Sequence, residues 1–173
     1  MSRYNTEDDG IDARRAQWAV ELPDLDTRGM ATLGRMRLIT AKVRPAIERI
    51  FADHDLDSGE FDVLATLLRS GPPYRLRPTE LYRSLMISSG GLTDRLSRLS
   101  KMGLVERTPS PGDGRSTLVG LTADGATRTG NAIRRDMTVE ASLIDGLGDG
   151  EQVQLADLLR KLLLSLERRE AMG

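Results

Sequence analysis

Apolar residues recur at steps of three and four along several stretches of the chain, which is the spacing of an amphipathic helix. Near the N-terminus this pattern predicts a short helix over residues 12–20 and a long one over 28–53. Pro45 lies inside the long one and predicts a kink or break there. Near the C-terminus the same pattern predicts helices over residues 122–147 and 151–169.

Between the long helices lies a stretch that turn-forming residues divide into short elements. Asp57, with Glu60 three residues later, has the form of a capping box. The helix that it opens is predicted to end at residues 71–73, which read Gly-Pro-Pro. A second, shorter helix is predicted over residues 78–86.

A third helix is predicted to begin at Ser88 or one residue later, and Gly103 ends it as a C-cap. Two short strands follow over residues 104–108 and 117–121, joined by turn formers that favour a hairpin, and Thr122 caps the next helix. This order of elements is typical of a winged helix-turn-helix, which presents a helix to a groove of duplex DNA. We therefore predict a mainly α fold with a small β-hairpin wing.

The predicted C-terminal helix carries a wide apolar stripe. Its members are Leu155, Leu158, Leu159, Leu162, Leu163 and Leu166. A stripe of this width has to pack elsewhere on the same chain or on a second copy. We favour a second copy, because DNA readers of this type commonly pair about a two-fold axis to reach two half-sites.

Charge is distributed unevenly, although the formal net charge of the chain is only -1. Residues 74–101 contain six basic and two acidic side chains, a net +4, so the remainder carries -5. A basic segment on an acidic body fits a protein that touches DNA with one face. A solvated, charged helix face explains the same charges and stays open as an alternative.

Composition narrows the chemistry that the chain can perform. It has no cysteine and a single histidine, His54, which excludes thiolate sites and histidine clusters for metal or acid–base work. No apolar run reaches the roughly 18 residues of a membrane span, and residues 1–12 lack the form of a signal peptide. We therefore expect a cytoplasmic protein that is not an enzyme and uses no cofactor.

The segment around the predicted wing resembles the MarR family of winged helix-turn-helix regulators. The family's wing signature, D-x-R-x-x-x-V-x-L-T, is matched by Asp113, Arg115, Val119, Leu121 and Thr122. Leu99 and residues 103–107 match the family's end of the DNA-reading helix and start of the first wing strand. The resemblance extends over residues 28–170 and implies a homodimer with one DNA-reading lobe per subunit, regulated by a small molecule.

The third predicted helix, residues 89–101, is the DNA-reading helix that this resemblance implies. Small and hydroxylic side chains at its start let the backbone approach phosphates, which the positive end of a helix also attracts. These residues are Ser88, Ser89, Gly90, Gly91 and Thr93. Arg95 and Arg98 are candidates for base edges or phosphates, since arginine can contact guanine through two hydrogen bonds.

The remaining candidate DNA contacts lie on either side of this helix. Arg75, Arg77 and Thr79 are expected at the start of the preceding helix, where phosphates are held. Arg115 is expected to enter the minor groove from the wing, and Asp113 to orient it by an ion pair.

The N-terminal part of the chain resembles a urate-responsive subset of the same family. Trp18, Asp62 and Arg95 match three of the four residues of that subset's ligand site. The fourth position, an arginine in the subset, is Thr66 here, so an anionic ligand loses a charge-assisted contact. The resemblance implies a small anionic or aromatic effector that draws the reading helix away from DNA. A core position for Trp18 and a structural ion pair for Asp62 are the alternatives.

We divide the chain into an N-terminal extension with a short extra helix (residues 1–27), a helical dimerisation region (28–55 and 122–170) and a winged helix-turn-helix domain (56–121). The expected partners are duplex DNA, a second copy of the chain and a small effector, with no membrane. The predicted function is that of a homodimeric repressor that reads a palindromic operator. A winged-helix architectural or protein-interaction module without an effector is the alternative.

Overall fold

A computed structural model describes residues 9–86, 91–110 and 113–173, with the backbone alone for residues 113–116. The fold is mainly helical with one small antiparallel sheet, as predicted. Its helices are α1 (Gly10–Glu21), α2 (Arg35–Ala52), α3 (Ser58–Arg69), α4 (Pro78–Ser84), α5 (Leu92–Lys101), α6 (Ala123–Leu143) and α7 (Asp149–Glu170). Its strands are β1 (Arg75–Leu76), β2 (Val105–Ser110) and β3 (Asp113–Leu121). The chain divides into two compact units between Arg49 and Ile50.

The first unit contains α1 and most of α2. Asp9 caps α1, because its carboxylate accepts the backbone N–H of Ile11 at 2.9 Å. Ile11 is buried and lies against Gly34, at the end of a short π-helical segment, Met30–Gly34, that leads into α2. The Arg35 Nε atom lies 2.8 Å from Asp9 Oδ2, so an ion pair ties the start of α2 to the cap of α1.

Of the predicted kink or break at Pro45, the break is wrong, because α2 is helical on both sides of this residue; the kink stays a prediction. Proline removes the hydrogen bond to the carbonyl of Ala41, four residues earlier. Both Ala41 and Pro45 are exposed, so water can satisfy that carbonyl and the helix continues.

The core of the second unit is built around α3. Asp57 and Glu60 form the predicted capping box: the Glu60 N–H donates to Asp57 at 2.7 Å, and the Asp57 N–H donates to Glu60 at 2.9 Å. This prediction is confirmed. Apolar side chains from the surrounding elements are buried with those of α3. They include Val63, Leu64 and Leu67 of α3, Leu81 of α4, Leu96 and Leu99 of α5, and Val119 of β3.

The DNA-reading helix predicted from Ser88 begins later, at Leu92 of α5. Gly91 precedes it with φ of 76°, a left-handed conformation that glycine adopts freely and that cannot belong to a right-handed helix. At the other end the prediction is confirmed: Gly103 has φ of 71°, and the Leu104 N–H donates to the carbonyl of Leu99 at 3.0 Å.

The predicted hairpin is confirmed, but the sheet has a third strand that the sequence did not indicate. The strand order is β1-β3-β2, with both pairings antiparallel. The new strand, β1, is only two residues long, so it shows no alternation of apolar and polar residues. Pro109 lies in β2, an edge strand, which is where a sheet tolerates a residue without an N–H.

Thr122 caps α6 as predicted, since its hydroxyl oxygen accepts the Gly125 N–H at 2.9 Å. The helix ends at Leu143, earlier than the predicted residue 147. The side-chain amide of Gln152 donates to the carbonyl of Leu147 at 2.9 Å and so stabilises the turn that replaces the last helical residues. Every residue of α7 is at least partly exposed, including the predicted leucine stripe.

Candidate nucleic-acid interface

An open groove of about 580 Å³ lies between the first turns of α4 and α5. Its lining residues are Pro78, Thr79, Tyr82, Arg83, Gly91, Leu92 and Thr93. The fold therefore brings together Thr79, Gly91 and Thr93, three of the residues predicted to contact DNA. Tyr82 and Arg83, which the sequence analysis did not select, lie on the same surface.

The orientation of α4 follows from a single buried side chain. Leu81 is fully buried, so Thr79 and Arg83, two positions before and after it, lie on the opposite face of the helix. Tyr82 is 55% exposed, which is unusual for a large aromatic side chain. Its position three residues after Thr79 is the signal in the sequence that could have identified it.

In α5 the same division holds between a buried and an exposed face. Leu96 and Leu99 are buried, at 3% and 0% exposure. Thr93 and Ser97, four residues apart, are exposed and present hydroxyl groups to solvent. Hydroxyl groups are suitable hydrogen-bond partners for both phosphates and base edges.

The two arginines predicted to contact DNA from α5 lie towards the first turn of α3. The Arg98 Nε atom lies 3.2 Å from Glu60 Oε1, and its Nη2 atom donates to the carbonyl of Asp55 at 3.0 Å. Arg95 is half-buried, and its guanidinium lies against Gly59, where an added Cβ would come within 2.2 Å of the Arg95 Nε atom.

Arg75 is placed in β1 and not at the start of a helix, so this part of the prediction is wrong. Its side chain crosses Gly120 of the central strand, where an added Cβ would lie 2.5 Å from the Arg75 Cγ atom. On the far side its Nη2 atom donates to Glu106 at 2.7 Å. Arg77 does lie at the start of α4, exposed, with its Nη1 atom 3.8 Å from Glu80.

Several predicted contacts fall outside the side chains that the structure describes. Ser88, Ser89 and Gly90 lie outside the described residues. Asp113 and Arg115 belong to β3 by their backbone, which places them on the wing. Their contacts with DNA stay predictions.

Asp62, predicted to bind an effector, is 7% exposed on α3. Its carboxylate accepts the backbone N–H of Met86 at 2.8 Å and lies 3.8 Å from the Nη1 atom of Arg69. Arg69 in turn donates to the carbonyl of Ser84, the last residue of α4. Asp62 and Arg69 therefore hold the end of α4 and the segment that follows it.

Thr66, at the position where the family subset has an arginine, lies one turn after Asp62 and is 1% exposed. Its hydroxyl has no hydrogen-bond partner among the residues that the structure describes. Most buried polar groups in native proteins are hydrogen-bonded, which makes this hydroxyl an exception. Trp18, 44% exposed on α1, belongs to the first unit, and its ligand role stays a prediction.

Metal sites and membrane spans can be assessed from the residues that the structure describes. No cluster of three or more His, Asp and Glu side chains in it could bind a metal ion. None of its helices combines the length and apolar character that a bilayer crossing demands.

Comparison with known proteins gives consistent results. Residues 54–116 match the model of the MarR family. The chain is 32% identical to the HTH-type transcriptional regulator PecS of Dickeya dadantii over 162 residues, 94% of this chain and 95% of that protein. The HTH-type transcriptional repressor NicR of Pseudomonas putida is 30% identical over 115 residues, 66% of this chain and 71% of that protein.

A solved structure links this fold to DNA. MarR from Escherichia coli, as a mutant complexed with operator DNA, superposes with a TM-score of 0.65 and 28% identity over 84% of this chain and 97% of that one. These relatives are named as regulators and not as enzymes. The PecS match spans nearly the whole length of both chains. The chain therefore belongs to the MarR family of DNA-binding transcriptional regulators.

Proposed function

We propose that the protein is a homodimeric repressor that reads a palindromic operator with the α4–α5 surface and is released by a small anionic or aromatic ligand. The observation that carries the DNA-reading part is the groove in which Thr79, Arg83 and Thr93 lie side by side. A guanidinium and two hydroxyls in one groove can donate to neighbouring phosphate oxygens, which fixes the register of the protein on the duplex. The exposed ring of Tyr82 adds an apolar surface to it.

The leucine stripe of α7 supports the dimer. Leu158 and Leu163 are 58% and 57% exposed, and the other stripe residues are also partly exposed. Contiguous exposed apolar side chains on one helix face mark an interaction surface. Covering each half-exposed leucine would contribute roughly 1 kcal/mol, about half of the value for full burial. A second copy of the same helix can cover this stripe symmetrically.

Sedimentation and size-exclusion measurements test the dimer. Leu158→Glu combined with Leu163→Glu is expected to yield monomers that bind operator DNA at least about tenfold more weakly, because two half-sites are no longer bound together. Lys161→Glu, which places the same charge on the polar side of α7, is the matched control. Equal oligomeric states of the two proteins would contradict the dimer.

An effector site on α3 is supported by Asp62 and Thr66. The unsatisfied Thr66 hydroxyl offers a hydrogen bond to a ligand without the charge that an arginine would supply. Asp62 also holds the N–H of Met86, in the segment that leads from α4 towards α5. A ligand that donates an N–H or O–H to this carboxylate in place of Met86, or whose anionic group pairs with Arg95 in the family's ligand site, would shift that segment. Ligand and DNA would then bind with opposite preference.

Urate and a panel of aromatic carboxylates are suitable probes for this site. Thr66→Val removes the hydroxyl at nearly constant volume and is expected to weaken the release of DNA about threefold to tenfold. Thr129→Val is the matched control, because its buried hydroxyl already donates to the carbonyl of Gly125. If no probe releases DNA, the effector part of the proposal fails and the effector-free alternative is favoured.

Anisotropy titrations with DNA test the reading surface. The protein is expected to prefer a palindrome of about 16–20 base pairs from its own upstream region over scrambled DNA. Arg83→Ala should weaken this binding, whereas Arg134→Ala, which removes an exposed arginine of α6, should not. Equal affinity of the native protein for palindromic and scrambled DNA would favour an architectural module. Repression, as in the relative NicR, is tested with a reporter gene downstream of the palindrome.

A further inference from the structure

The segment that joins α2 to α3 is held by arginines from two other helices. Arg135 of α6 lies 2.9 Å from Asp53, and Arg128 of α6 donates to the carbonyl of His54 at 3.0 Å. A third arginine, Arg98, reaches the same segment from α5. Through Arg98, α5 is thus attached to this segment by a directional polar contact as well as by packing.

Glu60 is the one buried acidic side chain in this set of contacts, at 1% exposure. Its two oxygens have different partners. Oε2 accepts the backbone N–H of Asp57 at 2.9 Å and completes the capping box of α3. Oε1 lies 3.2 Å from the Nε atom of Arg98, which also donates to the carbonyl of Asp55. A buried carboxylate destabilises the folded state unless it is paired, so removing Arg98 would leave an uncompensated buried charge on Glu60.

Arg95, which precedes Arg98 by about one turn of α5, contacts the same turn of α3. Its guanidinium lies over Gly59, so a Cβ at that position would require the Arg95 side chain to move. Two arginines of α5, three residues apart, therefore rest on adjacent residues of α3. The buried Leu96 and Leu99 decide which face of α5 points inward, but apolar contacts are non-directional and leave the finer rotation of the helix to the polar contacts.

We infer that Glu60 is a positioning residue for operator recognition. In this role Arg98 connects Glu60 to α5 and does not contact bases. The carboxylate restrains the finer rotation of α5 about its axis and so the exact placement of the side chains that face the groove. This inference rests on the proposed function, in which α5 reads DNA. It deepens that function by assigning specificity to a residue that does not contact DNA.

The two possible roles of Arg98, contact with DNA or attachment of α5 to Glu60, predict opposite changes in operator affinity. If Arg98 contacts DNA, Glu60 competes with DNA for the guanidinium, and Glu60→Gln should leave operator affinity unchanged or raise it. If Arg98 instead connects α5 to Glu60, Glu60→Gln should lower operator affinity and leave binding to scrambled DNA nearly unchanged. The ratio of the two affinities therefore separates the two roles.

The experiment uses the full-length protein with Glu60→Gln, Arg98→Gln and the double variant. Each single variant is expected to lose about tenfold in the ratio of operator to scrambled affinity, and the double variant no more than either. The slope of log affinity against log salt should stay unchanged in Arg98→Gln, because no phosphate contact is lost. A slope lower by about one, or a Glu60→Gln ratio equal to that of the native protein, would overturn the inference.

Asp57→Ala is the control for a purely structural effect. It removes the other half of the capping box, the acceptor for the Glu60 N–H, and leaves the Glu60 carboxylate free to pair with Arg98. It should lower thermal stability and keep operator discrimination; loss of discrimination here would also overturn the inference. Should Glu60→Gln fail to fold, Arg98→Gln, with a 55% exposed side chain, carries the test alone. If the native protein itself does not discriminate, the proposed function fails first.

Discussion

Gly125 lies in the first turn of α6 against the backbone of Leu104, and we predict that Gly125→Ala destabilises the protein. An added Cβ would lie 2.0 Å from the Leu104 carbonyl oxygen and 2.9 Å from its carbonyl carbon. Contacts below 3.0 Å are essentially never seen for real Cβ atoms. Because the obstacle is backbone, no rotamer change can relieve it, and α6 has to move away by about 1 Å.

The magnitude follows from two opposing effects. Overpacking of this kind costs about 1–3 kcal/mol, and a clash with backbone belongs at the upper end. The shift also stretches the hydrogen bond from the Thr122 N–H to the Leu104 carbonyl, now 3.1 Å long. Alanine regains roughly 0.5–1 kcal/mol over glycine through helix propensity. The net loss is about 2 kcal/mol, which lowers the melting temperature by about 4–8 °C in a chain of this length.

Thermal melts at a fixed protomer concentration measure this effect, with Gly130→Ala as the matched control in the same helix. The neighbour that an added Cβ meets at residue 130 is the Nη1 atom of Arg134, 3.2 Å away, at the end of a flexible side chain. Gly130→Ala should therefore stabilise the protein by about 0.5–1 kcal/mol. The reasoning is refuted if the two substitutions shift the melting temperature in the same direction.

Three further predictions follow from single side chains. Thr122→Ala should cost about 1–2 kcal/mol in urea unfolding, because the hydroxyl caps α6 and donates to the Gly103 carbonyl at 2.7 Å; Thr122→Ser should retain most of it. Burial raises the pKa of Asp136 above 3.8, so the folded protein holds this proton more tightly and its stability increases as pH falls through that raised pKa. Asp136→Asn should therefore be more stable than the native protein at neutral pH. A stability difference between the two that widens towards acidic pH would contradict this. Arg115→Ala should lower the salt slope of DNA binding by about one if the wing contacts phosphates, whereas an unchanged slope would remove Arg115 from the interface.

Local signals in the sequence were sufficient to predict features whose hydrogen bonds or backbone angles involve only residues close together in the chain. The capping box of Asp57 and Glu60, the C-cap at Gly103 and the N-cap at Thr122 each depend on partners close in the chain or on a backbone angle of the residue itself. Their residue types identify them directly, and all three predictions are confirmed. Pro45 is the exception, because the tolerance of a helix for proline depends on whether the affected carbonyl faces solvent.

The amino-acid sequence by itself determined the mainly α fold, the wing and the family, since periodicity, caps and turn residues are properties of short segments. Only the tertiary structure decided what the arginines do. Arg75 is joined to Glu106 over Gly120, and Arg98 to Glu60, across separations of tens of residues. An arginine side chain can bind a phosphate or a carboxylate, and the residue type alone does not show which of the two lies nearer. The burial of Glu60, which packing of α3 against α5 creates, selects the carboxylate as the partner of Arg98.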